Sequence, residues 1–75
     1  MGKYPRGDFV KVEFKDDAIG ESEWMWVIVD SSDDDDRILF GRLDSQPVVF
    51  TKLRPGQEIA VSYDLVRDHR PASSF

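Results

Sequence analysis

The stretch WMWVIVD, residues 24–30, is apolar at every position except its final aspartate. Successive side chains of a β-strand point to opposite faces, so Trp24, Trp26 and Ile28 would share one face and the residues between them the other. A short run that is apolar on both faces is typical of a strand inside a sheet. The stretch therefore predicts the central strand of a β-protein.

Patterns of period two lie on both sides of this central run. In FVKVEFK, residues 9–15, Val10, Val12 and Phe14 fall on one face and the charged residues on the other, which predicts a half-buried strand. No segment shows a helical stripe over the roughly ten residues that a helix would need. Three further β-rich runs bring the predicted strands to five: RILFGRLD at 37–44, VVFTKL at 48–53 and EIAVSY at 58–63.

The connections between these runs narrow the architecture. DDAIGESE is a polar loop, and RPGQ predicts a type II turn in which Gly56 takes the position that requires a positive φ. Asp64 can cap a short helical turn in DLVRD, near the C-terminus. These elements predict an all-β fold, a small, partly open, five-stranded SH3-like barrel, with an OB-type barrel as the main rival. Its predicted core includes Val10, Val12, Phe14, Val27, Ile59 and Val61.

Composition limits the domain organisation and the cellular setting. The 75 residues suit one domain, with an N-terminal arm at 1–8, the barrel at 9–68 and a flexible tail at 69–75. No run approaches the roughly 18 apolar residues of a membrane helix, no signal peptide is visible and cysteine is absent, so we expect a cytoplasmic protein without membrane contact. The net charge of −5 has the wrong sign for binding nucleic acid.

Four consecutive aspartates, Asp33 to Asp36, pose the question of a cation site. An EF-hand loop needs a glycine at its sixth position and a glutamate at its twelfth, and counting from Asp30 these positions hold Asp35 and Gly41. We therefore expect the loop Ser31–Asp36 to be exposed, mobile and free of metal. Its charge would protect the apolar strands beside it from aggregation.

The same loop suggests a register for the hairpin. If Asp30 and Arg37 pair at its base, Trp26 lies opposite Gly41 and its ring covers the glycine. The same register would pair Trp24 with Leu43 and Ile28 with Leu39.

Catalytic chemistry has little support in this sequence. The only histidine, His69, lies in the predicted tail, and there is no cysteine to act as a nucleophile. Metal ligation by imidazole would need a second histidine, and RPGQE lacks the second glycine and the lysine of a phosphate-binding loop. We expect no enzymatic activity, no cofactor and no metal site.

Aromatic residues are better candidates for function. A barrel of this size cannot bury two tryptophans, five phenylalanines and two tyrosines completely, so some rings should be exposed. Aromatic grooves bind proline-rich segments and aromatic cages bind methylated lysine, and acidic rims such as DD and ESE here favour both. The predicted binding residues are Tyr4, Trp24, Trp26 and Phe50.

We therefore expect a non-catalytic protein- or peptide-binding module, a monomer with an unidentified protein partner. The alternative is a small-ligand-binding domain or an accessory domain of an enzyme system, which a deep polar pocket would favour.

Two longer stretches, ESEWMWVIVD and GRLDSQPVVFTKLRPGQEIAVSYDLVRDH, resemble the small bacterial family catalogued as domain of unknown function 2314. That family reads glycine and acid, then MWV, an alternating strand, G-x-L, a proline and L-x-x-G-[DQ]-x-[IV]-x-V. Gln57 replaces the more usual acid, and Asp68-His69 stands where an acid-aromatic pair is common. The resemblance implies a barrel-like fold and a bacterial cytoplasmic origin, with no established activity. The matching positions are Met25, Trp26, Val27, Gly41, Leu43, Pro47, Leu53, Gly56, Gln57, Ile59 and Val61, within residues 10–69.

Overall fold

The computed structural model describes residues 3–45, 47 and 53–72 of the chain. Within these residues it contains five strands: β1 (Phe9–Asp16), β2 (Glu21–Asp33), β3 (Ile38–Leu43), β4 (Glu58–Ser62) and β5 (Val66–Arg70). All pair antiparallel in one sheet, in the order β4-β3-β2-β1-β5. A 3-10 turn, Tyr63–Leu65, lies between β4 and β5. The all-β prediction is confirmed, and WMWVIVD lies in the central strand as predicted.

The membership of the sheet differs from the prediction at its last strand. The predicted strand VVFTKL falls almost wholly on residues 48–52, which lie outside the described residues. The fifth strand is instead β5, which follows the 3-10 turn and includes His69 and Arg70 from the predicted tail. That turn is capped by Ser62, whose Oγ accepts a hydrogen bond from the Asp64 amide, and not by Asp64.

The core lies on one face of the sheet and follows the predicted alternation. Four of the predicted core residues are buried, and the other two, Phe14 and Ile59, are partly buried against them. Residues facing the same side on successive strands bring their side chains together, which explains why one apolar face per strand is enough. The buried cluster consists of Tyr4, Val10, Val12, Met25, Val27, Val29, Leu39, Leu43, Val61 and Tyr63.

A β-bulge interrupts the pairing of β2 with β3. Val29 pairs with Gly41 but Ser31 pairs with Phe40, so Asp30 is an extra residue with no partner of its own. The extra residue shifts the alternation of β2. Before the bulge Val29 faces the core, and the next side chain on that side is Ser32, three residues later. The bulge thereby turns Ser32 inward, where its hydroxyl donates to the Tyr4 carbonyl oxygen at 2.9 Å.

The predicted register of this hairpin is wrong. It placed the hairpin's base at Asp30 and Arg37, whereas β2 continues to Asp33, which pairs with Ile38. Arg37 forms its ion pair with Asp64 at 2.7 Å, and Asp30 lies 3.4 Å from Arg42. The longer strand shifts every cross-strand partner.

Gly41 is needed for a different reason from the one predicted. Val29, not Trp26, lies opposite it. A Cβ at this position would collide with the backbone carbonyl oxygen of Ile28 and would lie 2.8 Å from a methyl carbon of Val27. Close approach of the neighbouring strand therefore excludes a side chain here.

The sheet is strongly curled, because its two edge strands are consecutive in the chain. Strands β4 and β5 would be about 19 Å apart in a flat sheet. The 3-10 turn that joins them advances only about 8 Å between Ser62 and Val66. The edges must therefore approach each other at this end, although the described residues form no ladder between β4 and β5 and the sheet is not closed.

Candidate functional site

The face of the sheet opposite the core, here called the outer face, carries an aromatic stripe along its middle. Trp24 is 53% exposed, although it lies on the central strand, and Trp26 and Ile28 continue the stripe on the same strand. Strand β1 adds Phe9, which pairs with Ile28, and β3 adds Phe40, which is 46% exposed. The two most exposed members of the stripe are Trp24 and Phe40, and Phe40 pairs with Ser31, seven residues along β2 from Trp24.

Two cations lie over the tryptophan rings of this stripe. Lys11 pairs directly with Trp26 across β1 and β2, and its Nζ lies 5.2 Å from the Trp24 ring centroid and 5.8 Å from that of Trp26. The guanidinium carbon of Arg70, on β5, lies 5.4 Å from the centroid of the Trp26 ring. Cations at these distances are attracted to the negative faces of the indoles, which holds the long side chains in place.

The remaining cations near the outer face are held mainly by carboxylates. Arg67 lies 3.0 Å from Glu13, and Arg42 lies 3.4 Å from Asp30. Lys11 takes part in none of the ion pairs that the described residues form. Its ammonium is therefore bound by rings and remains available to an external anion.

Acidic residues gather beyond Trp24, at the turn between β1 and β2. Trp24 pairs with Glu13, and three residues further along β1 Asp16 pairs with Glu21. Asp16 is half-buried, whereas Glu21 and Asp17 are exposed. The alternation of the strands places Asp16 and Glu21 on the core side of the sheet. On the outer face itself, Glu13 and Lys15 lie towards the β1–β2 turn, the aromatic stripe runs through the middle, and Arg70 lies towards the other end.

The structure brings together two of the four predicted binding residues. Trp24 and Trp26 are neighbours on the outer face, whereas Tyr4 is only 5% exposed and belongs to the core. Phe50 lies outside the described residues. Lys11 and Arg70 were not predicted as site residues; the alternation of FVKVEFK placed Lys11 outward, but only the register shows which rings it meets.

A second cluster, here called the clasp, ties the residues before β1 to those at and after β5. Asp8 is only 7% exposed, and its Oδ2 lies 2.7 Å from His69 Nε2. Its Oδ1 accepts a hydrogen bond of 3.0 Å from the Ala72 amide. The Ala72 amide and then His69 hold the pKa of Asp8 below its ordinary value, because both stabilise the carboxylate.

Tyr4 connects the clasp to the aspartate turn. Its ring meets His69 edge-on at 5.1 Å and Tyr63 at 4.8 Å. The Tyr63 hydroxyl donates to Asp34 Oδ1 at 2.7 Å, and the Lys3 amide donates to the same oxygen at 2.8 Å. Burial and then the Asp34 hydrogen bond raise the pKa of Tyr63, while the Tyr63 hydroxyl and then the Lys3 amide lower the pKa of Asp34.

These contacts revise the picture of the aspartate loop. Its residues are largely exposed, as predicted, but the first part belongs to β2 and Asp34 is anchored to the clasp. Asp33 Oδ1 also accepts hydrogen bonds from the amides of Asp35 and Asp36, which shape the turn locally. Within the described ranges, no three histidine, cysteine or carboxylate side chains are grouped as metal ligands would be.

The clasp contains an aspartate-histidine pair, Asp8 and His69. An acid-base pair acts on a nucleophile or on a bound substrate that lies within hydrogen-bond reach. Among the described residues, no hydroxyl group forms a hydrogen bond with His69, and the chain contains no cysteine. The contacts of Asp8 with the His69 side chain and the Ala72 amide join the segment before β1 to the residues at and after the end of β5.

Residues 5–74 match the model of the family described as "Uncharacterized protein conserved in bacteria (DUF2314)". The family indicated by the MWV motif and the late glycine motif is therefore confirmed. No curated protein and no solved structure matches the chain. The part of the chain that the structure describes contains no helix of the length and apolarity required to cross a membrane.

Proposed function

Because this chain belongs to the bacterial family DUF2314, whose members are uncharacterized, we propose a function from the geometry of its outer face. We propose that the protein is a non-catalytic module that binds a protein or peptide partner on this face, with Trp24 and Trp26 as the main contacts. The observation that carries the proposal is the 53% exposure of Trp24 in the middle of the sheet.

The gain from covering Trp24 supports this proposal. A tryptophan side chain has about 200 Å² of surface, so a partner that covered the exposed half would bury about 100 Å². At about 25 cal/mol per Å², that burial is worth about 2.5 kcal/mol. Tryptophans are frequent among the few residues that dominate the binding energy of protein interfaces, and Trp26 and Phe40 would extend the same contact.

We further propose that the curled sheet is a partly open SH3-like barrel. The antiparallel order and the 3-10 turn between the two edge strands support this architecture. Amide hydrogen exchange tests the closure: protected amides on the outward edges of both β4 and β5 would support it. Rapid exchange along both edges would show an open sheet.

The proposal of a non-catalytic role rests on the chemistry that the residues offer. The single histidine is engaged with Asp8 in the clasp, and the outer face carries rings, cations and carboxylates without a paired base and nucleophile. Glu13, which pairs with Trp24, adds a carboxylate beside the aromatic stripe. These features favour recognition of a side-chain pattern over conversion of a substrate.

Capture of partners from the native lysate tests the binding function. Trp24→Ser removes the exposed indole, and Ile19→Ser is a matched control because Ile19 is 61% exposed but lies on the β1–β2 turn. We expect the same proteins to be captured by the wild type and the Ile19→Ser variant and to be lost with Trp24→Ser. Equal capture by all three would contradict the proposal, provided that both variants unfold like the wild type.

The proposed monomeric state requires a separate measurement. Sedimentation of the purified protein should give the 8.6 kDa mass of one chain at all concentrations tested. A larger mass that falls to 8.6 kDa with Trp24→Ser would show that the face binds a second copy instead.

A further inference from the structure

We propose that the segment bound by the outer face is acidic: an extended peptide that places a carboxylate at Lys11 and Arg70 and an apolar or proline side chain against Trp24. This inference rests on the binding function proposed above and specifies the chemistry of the ligand. It reverses the expectation drawn from the acidic residues of the sequence, because the charges that lie over the rings are positive.

The state of Lys11 is the first argument. Its ammonium lies over two indoles, at 5.2 and 5.8 Å, and no ion pair within the described residues includes it. By contrast, Arg37 and Arg67 have carboxylate partners at 2.7 and 3.0 Å. A ligand carboxylate could therefore meet Lys11 without displacing an internal partner.

The acidic residues closest to Lys11 are directed elsewhere. Asp68 lies opposite Lys11 in the β1–β5 register, but its Oδ1 accepts a hydrogen bond from the His69 amide at 2.8 Å. Its Oδ2 lies 3.8 Å from Arg70 Nε, which is a long contact between exposed groups. Glu13, the next outward residue on β1, bonds to Arg67. Neither acid therefore forms an ion pair with the Lys11 ammonium.

The occupied ring faces are the second argument. A basic or methylated-lysine ligand would have to replace Lys11 or Arg70 over the indoles and would then lie beside the displaced cation. An acidic ligand keeps both cation-ring contacts and adds an ion pair to them. The cations that already lie over the indoles therefore favour a negatively charged ligand and disfavour a positively charged one.

Nucleic acid also combines negative charge with groups that stack on aromatic rings. A long polyanion would be repelled by a chain with a net charge of −5 and would meet Glu13 beside Trp24 on the outer face. A peptide can place one or two carboxylates at the cations and leave its remainder uncharged. Charge complementarity therefore favours an acidic protein segment.

Intrinsic fluorescence provides a direct test, because the chain has only two tryptophans and both lie on this face. The probes are three pools of short peptides with identical apolar and proline positions. The remaining positions carry Asp and Glu in one pool, Lys and Arg in the second, and Ser and Gln in the third. A short oligothymidylate is the fourth probe. We expect the acidic pool to change the emission saturably at the lowest concentration.

Two lysine variants identify the group that selects the charge. Lys11→Gln should weaken binding of the acidic pool about three- to tenfold, as expected for one partly screened ion pair at a surface. Lys15→Gln is the matched control, because Lys15 lies on the same face of the same strand but outside the described cation-ring contacts. Raising the salt from about 50 to about 500 mM should weaken the wild type more than Lys11→Gln.

Several results would overturn the inference. They are tighter binding of the basic pool, the neutral pool or the oligothymidylate, an unchanged affinity in Lys11→Gln, or no response to the acidic pool up to about 1 mM. If another peptide pool binds and Trp24→Ser abolishes that binding, the proposed function stands and only the ligand chemistry is wrong. If no pool binds and lysate capture is also independent of Trp24, both proposals are wrong.

Discussion

Replacing Asp8 by asparagine tests whether the clasp stabilises the fold. Asp8 accepts a hydrogen bond from the Ala72 amide at 3.0 Å and lies 2.7 Å from His69 Nε2. Asparagine keeps the shape and one acceptor oxygen, so the bond from Ala72 can remain. It has no charge, and it turns an NH₂ group towards His69. The variant therefore removes the charged half of the clasp.

The expected loss follows from the burial of this carboxylate. A hydrogen bond to a charged group contributes about 1.5–3 kcal/mol, and Asp8 is 7% exposed, so water cannot readily replace its partner. A domain of this size has a total unfolding free energy of about 4–11 kcal/mol. A loss of about 2 kcal/mol would lower the Tm by roughly 10 °C.

The stability difference between the wild type and Asp8→Asn should depend on pH in a defined direction. The Ala72 amide and His69 hold the pKa of Asp8 below 3.8, its ordinary value, in the folded state. A depressed pKa contributes stability that is complete above the unfolded-state pKa and is lost as the pH falls through the folded-state pKa. The difference between the wild type and Asp8→Asn should therefore be full at neutral pH and should shrink below a pH of about 3.8.

Urea unfolding followed by tryptophan fluorescence at a series of pH values measures this difference. Asp35→Asn is the control, because Asp35 is exposed on the turn and its carboxylate makes none of the described hydrogen bonds. Equal stability of Asp8→Asn and the wild type at neutral pH would refute the reasoning. So would a difference that stays constant through the acid range.

Three further substitutions test other features of the fold. Gly41→Ala should lower the unfolding free energy by about 1–3 kcal/mol, because the added Cβ meets the Ile28 carbonyl; chemical denaturation measures this, and unchanged stability would contradict the close strand approach. Gly56→Ala, at φ +84°, has free space for a Cβ, so only the backbone strain of about 1–2 kcal/mol should appear in the same assay. Burial and Asp34 raise the pKa of Tyr63 above 10.0, so the wild type should lose stability as the pH rises through that folded-state value. Tyr63→Phe should flatten this alkaline loss in thermal melts from pH 8 to 11, and an identical alkaline profile would count against it.

Local patterns were enough to predict the centre of the fold. WMWVIVD was predicted to be a central strand because it is apolar at six successive positions, and it occupies the middle of the sheet with a strand at each edge. The turn at Pro55 and Gly56 also formed as predicted, with Gly56 at φ 84° and the Gln57 amide bonded to the Arg54 carbonyl. Both features depend on interactions within a few residues, which the sequence displays directly.

Features that depend on distant partners were not predictable in this way. The strand β5 has one apolar residue, Val66, and is held by its pairing with β1, so its sequence carries little β signal of its own. The bulge at Asp30 arises from how β2 meets β3, and a slip of this kind changes every cross-strand contact.

The candidate site likewise combines features that local sequence predicts with features that depend on distant residues. The tryptophans were recognised because a small barrel cannot bury so many rings, but their cations depend on the registers of β1 with β2 and of β1 with β5. Tyr4 was predicted as a binding residue on the same ground. Its ring is instead covered by Tyr63 and His69, which lie far away in the sequence.

The clasp places the start of the first strand beside the residues that follow the last strand, since the carboxylate of Asp8 binds the amide of Ala72. A domain whose ends meet can be inserted into a surface loop of a host protein without separating that loop's anchors. The same geometry allows its ends to be joined by a short linker and the chain to be opened elsewhere. Gly20, exposed on the β1–β2 turn at φ 68°, offers such an opening at the opposite end of β1 from the clasp. The fold is thus suited to being carried as a cassette within longer polypeptides.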